Sequence, residues 1–116
     1  GEIETNDNMK MCDFLANVIQ KIEPEVFLAP MSDNIPDFLP RVAQRIGTGL
    51  VSGCISIDID TTDRVVLANR PAYGSKMHEI HVCPTARPQM ILLMPATFPL
   101  PIMDEFRSGT IEKTML

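Results

Sequence analysis

Apolar and polar positions follow two different rhythms along this chain. Between Met9 and Ile22, the residues Met11 or Cys12, Leu15, Val18 or Ile19, and Ile22 recur at helical steps. That spacing puts one apolar stripe on an α-helix. Asn6, Asp7 and Asn8 offer N-cap oxygens before it, and Pro24 bars its continuation. Val26-Phe27-Leu28-Ala29 follows as a short run without a polar face. It is too short for a helix and suits a central strand covered on both sides.

Pro30-Met31-Ser32-Asp33-Asn34 is a turn into a second helix, with Leu39, Val42, Ala43 and Ile46 on one face and Arg41, Gln44 and Arg45 on the other. Pro36 suits its first turn, Pro40 implies a distorted start, and Gly47 ends it. Helix, strand, helix in this order is a piece of an α/β layered sheet.

After Gly49 the rhythm shortens. Across Leu50 to Ile59, Cys54, Ile55, Ile57 and Ile59 nearly alternate with Ser56, Asp58 and Asp60, which predicts one strand with a wet face. Asp60-Thr61-Thr62-Asp63 is a polar turn, Val65 to Ala68 a returning strand, and Arg70 to Ser75 an irregular crossing. Met77 to Cys83 and Met90 to Met94 predict two more strands, separated by Pro84-Thr85-Ala86-Arg87-Pro88. The second half is therefore β-rich and antiparallel in part. From Pro95 onward the chain is proline-rich and then polar, like a linker. A parallel sheet normally needs several βα units, and too few precede the β-rich part. The core looks incomplete: a partner supplies the remaining strands, or the start of the protein is missing.

Composition narrows the function classes. The 116 residues are the size of one domain. Fifteen acidic against ten basic residues leave a net charge of −5, which argues against nucleic-acid binding. With 45% apolar and 22% charged residues the chain is built to pack rather than stay disordered. No apolar run reaches the roughly 20 residues of a membrane-spanning helix, and the acidic start is unlike a signal or transit peptide. Cys12, Cys54 and Cys83 stand singly, without the spacing of a disulfide framework or zinc site. They read as small buried side chains in a reducing compartment.

Several stretches invite chemistry, and each has a plainer reading. Gly47-Thr48-Gly49-Leu50-Val51-Ser52-Gly53 has the glycine density of a phosphate loop. It follows a helix and opens a strand, the reverse of the required context, so a helix C-cap and tight turn is the default. Ser32, Asp33 and Asn34 stand better placed for a ligand, after a strand and before a helix, although helices need such caps anyway. His81 and Cys83 share one face of their strand while His78 points to the other, too few ligands for a metal. Asp58, Asp60 and Asp63 lack the glycine and terminal glutamate of a calcium loop and read as a solvated hairpin end. No nucleophile stands with a base, so no catalytic residue is assigned. A nucleotide-binding module at Ser32-Asp33-Asn34 stays open as the alternative, with metal hydrolysis through His81 and Cys83 behind it.

Three stretches together carry a resemblance. Pro40-Arg41-Val42-Ala43-Gln44-Arg45-Ile46-Gly47-Thr48-Gly49-Leu50 resembles the helix-to-strand segment of the electron-transfer flavoprotein alpha subunit. Arg70-Pro71-Ala72-Tyr73-Gly74 is similar to its Arg-Pro-Ala-aromatic-Gly element. Cys83-Pro84-Thr85-Ala86-Arg87-Pro88-Gln89-Met90 is similar to its Cys-Pro-x-x-Arg-Pro-Gln-Met segment. Met94-Pro95-Ala96-Thr97-Phe98-Pro99 stands where the family has Arg-Pro-Gly-x-Phe. Ser75 for a glycine, Met94 for an arginine, and the pair His78 and His81 are departures that suggest a divergent paralogue.

The resemblance implies a Rossmann-like sheet of the adenine nucleotide alpha hydrolase type. Residues 1–98 would be the second half of its N-terminal domain and 99–116 a linker toward a separate FAD-binding domain. It implies an electron carrier rather than a catalyst, paired with a beta subunit and loaded with FAD. Electrons would come from acyl-CoA-type dehydrogenases and pass to a quinone-linked or other acceptor, in the cytoplasm or a mitochondrial matrix. The family's FAD contacts lie chiefly in the other domain, so no cofactor-binding residue carries over, and this region is expected to hold no FAD alone. Its motifs read as scaffold, with prolines fixing the crossings and Arg87 anchoring a turn.

Overall fold

The computed structural model describes residues 5–72, 76–101, 104 and 106–113. Helix α1 (Thr5–Ile22) buries Cys12, Ala16 and Ile19, one stripe at helical spacing. It starts earlier than Met9, so Asn6, Asp7 and Asn8 lie inside it rather than capping it. Asn8 instead accepts a hydrogen bond from the side-chain amide of Asn34, a tertiary contact that outweighs weak local propensity. Ile22, expected on the stripe, is half exposed because the helix ends there. Helix α2 (Ile35–Ile46) buries Phe38, Leu39, Val42 and Ala43, with Pro36 in its first turn and Pro40 inside. Gly47 adopts φ +88°; its N–H and that of Thr48 close back on the Ala43 and Gln44 carbonyls. This left-handed cap satisfies the last carbonyls and turns the chain toward the sheet.

Strands β1 (Val26–Pro30), β2 (Leu50–Cys54) and β6 (Gln89–Leu93) form a parallel sheet in the order β1-β6-β2. Strands β3 (Ser56–Asp60), β4 (Val65–Ala72) and β5 (Met77–His81) form an antiparallel sheet in sequence order. The α/β class with an antiparallel component is therefore as expected. The strand covered on both faces is β6, whose Gln89, Met90, Ile91 and Leu92 are all buried. Strand β1, expected at the centre, is an edge among the described residues, with Val26 and Leu28 exposed at 37% and 46%.

The expected single strand over Leu50 to Ile59 is two strands in two sheets. Gly53 takes φ +74°, and the β2–β6 register slips between Val51 and Cys54. The Cys54 carbonyl then accepts from Met94 N–H while Ile55 N–H donates to Asn69, so one peptide unit serves both sheets. Alternation cannot show such a transfer, because both halves keep the same rhythm. Strand β4 also runs past Ala68 through Arg70, Pro71 and Ala72, pairing with β5 where an irregular crossing was expected. Tyr73, Gly74 and Ser75 lie outside the described residues. Strand β5 stops at His81, short of Cys83.

Two apolar clusters follow from this layering. One joins α1 and α2 to one face of the parallel sheet, around Cys12, Ile19, Leu39, Val42, Met90 and Leu92. The other joins the two sheets through Cys54, Val66, Ala68 and Ile91. At the transfer point a methyl on Gly53 would meet Met31 and Met94 at 3.9 Å, ordinary contact. Gly53→Ala is therefore expected to cost about 1–2 kcal/mol through backbone strain alone. A urea-unfolding comparison with wild type checks it; no loss would mean that the chain changes sheet without the left-handed residue.

Candidate functional site

Two of the motifs singled out in the sequence, the Gly-Thr-Gly and Cys-Pro-Thr-Ala-Arg-Pro-Gln-Met stretches, meet at one place. Gly47 directs Thr48 toward the segment before β6, where Thr48 Oγ1 donates to the Pro88 carbonyl at 2.7 Å and lies 3.8 Å from Cys83 Sγ. The Cys83 thiol donates to the Ala86 carbonyl at 3.4 Å. Arg87 Nη1 donates to the Cys83 and Ala86 carbonyls at 3.1 and 2.9 Å, and its Nη2 reaches the Arg64 carbonyl at 3.0 Å. Gln89, 3% exposed, accepts from Val66 N–H at 2.7 Å and donates to the Arg64 carbonyl at 3.2 Å.

Arg87 thus holds a turn together by its five-donor fork, a geometry lysine does not offer. The Gly-Thr-Gly and Cys-Pro-Thr-Ala-Arg-Pro-Gln-Met stretches form a lock between helix, parallel sheet and hairpin. Thr48 and Gln89 carry as much of this lock as Arg87. Neither was singled out as a side chain in the sequence; a glutamine directly before the apolar run Met90 to Leu93 is the one signal that points to it.

The remaining candidates do not converge. Ser32, Asp33 and Asn34 do stand between β1 and α2, but Asn34 spends its amide on Asn8 and makes no side-chain cap. His81 pairs with Glu79 at 2.9 Å on the exposed surface. His81 and Cys83 border a cavity of about 10 Å³, room for barely one water. Among the described residues no group of three or more His, Cys, Asp or Glu side chains could hold a metal ion. Asp60 caps the hairpin turn by accepting the Thr62 and Asp63 N–H groups. Cys12 and Cys54 are buried, and burial pushes the Cys54 thiol pKa up, the opposite of activation.

A groove of about 280 Å³ opens between β1 and the β3–β4 hairpin, lined by Val26, Ile59 and Val66 and bordered by the Glu25–Arg64 ion pair. A flavin dinucleotide needs polar groups converging on its phosphates and ring. Here Glu25 and Arg64 answer each other, and the glycines Gly47 and Gly49 follow a helix rather than open one. The residues of this groove do not fit a flavin cradle.

Residues 1–115 match the electron transfer flavoprotein domain. The chain belongs to that family. It is 36% identical over 91 residues to the electron transfer flavoprotein subunit alpha of Clostridium acetobutylicum, covering 78% of this chain and 27% of that protein. Against the same subunit of Thermoanaerobacterium thermosaccharolyticum identity is 33% over 99 residues, 85% of this chain and 30% of the relative. Protein FixB of Azotobacter vinelandii is 32% identical over 98 residues, 84% of this chain and 27% of its own length. The chain thus spans less than a third of these relatives. The first two of these relatives are electron transfer flavoprotein subunits by name, and among the described residues no helix is long and apolar enough to cross a membrane.

Proposed function

We propose that this chain is the second half of the N-terminal domain of an electron-transfer flavoprotein alpha-type subunit, residues 1–98, followed by the start of a linker. The observation that supports this reading is the parallel sheet: among the described residues β1 lies at an edge with Val26 and Leu28 partly exposed, although parallel strands are covered on both faces when complete. Further βα units of the same protein would cover that edge. In the whole protein FAD sits in a separate domain and carries electrons from an acyl-CoA-type dehydrogenase to a quinone-linked or other acceptor. A beta subunit completes the carrier, which works in the cytoplasm or in a mitochondrial matrix. The region described here is scaffold and subunit interface, and performs no catalysis of its own.

The test is a visible absorption spectrum of the natural protein, taken with its intact mass. Flavin bands on a chain well above 12.9 kDa are expected. A colourless protein at 12.9 kDa would overturn the reading and leave an isolated scaffold domain.

A further inference from the structure

We draw no further inference here: the strongest candidate, the exposed apolar patch of the antiparallel sheet at Ile80 and Val82, beside an Asn69 side-chain oxygen left unpartnered among the described residues, carries nothing, because nothing in the structure shows what covers it in a chain that spans less than a third of its relatives.

Discussion

Replacing Leu39 with alanine is expected to cost about 3–4 kcal/mol of stability, inside the roughly 2–5 kcal/mol range for buried leucines. Leu39 is fully buried where α2 meets α1 and the parallel sheet, in the cluster that holds Cys12, Ile19, Val42, Met90 and Leu92. Three elements converge on it, so the cavity left by truncation cannot collapse from one side. A domain of this size has about 5–15 kcal/mol in total, so the loss is a large fraction of what keeps it folded. Urea unfolding followed by far-ultraviolet circular dichroism measures it. Leu39→Met, which conserves volume, should cost less than about 1.5 kcal/mol. A loss under about 1 kcal/mol for Leu39→Ala would place the cooperative core elsewhere.

Leu39 was legible from its spacing, and so was most of α2. The spacing of Leu39, Val42 and Ala43 puts them on one face, and they are buried there. Gly47 marks the stop by its residue type and takes the left-handed cap. Helices declare themselves in this way because their packing face repeats within the element. The sheet was less legible, for a reason visible in β6. Gln89 to Leu93 comes last in the chain yet inserts between β1 and β2, so the central strand is the one most distant in sequence from its neighbours. An apolar run such as Val26-Phe27-Leu28-Ala29 says that a strand is to be covered, not which segment does the covering. The exposure of Val26 and Leu28 is that difference made visible.

The site shows the same division. The resemblance rested on three stretches, and the structure explains why two of them are rich in Gly, Pro and Arg without invoking a ligand. Thr48, Pro88, Cys83 and Arg87 are engaged with one another, mostly through main-chain carbonyls. Side chains spent in this way secure crossings; they have little capacity left for a substrate. The residues to change are therefore those that keep the layers of this region in register.

Gln89 is the most exacting of these, and Gln89→Leu is expected to cost about 2–3 kcal/mol. The pairing of β4 with β5 runs from Ala68 opposite His81 to Ala72 opposite Met77, so no β5 residue pairs with Val66. The Gln89 side-chain oxygen takes the Val66 N–H in its place, from a strand of the other sheet. Leucine keeps the approximate volume but leaves that buried N–H without a partner, and an orphaned buried donor costs roughly 1–3 kcal/mol. The Arg64 carbonyl suffers less, because Arg87 still donates to it. Combining Gln89→Leu with Arg87→Ala should then cost more than the two single changes added, since together they strip the Arg64 carbonyl of both side-chain donors. Urea midpoints of the two single variants and the double variant, against wild type, form the required cycle. Additive losses would show that Arg87 and Gln89 do not share the carbonyl in solution, and that the lock between the sheets is two independent contacts.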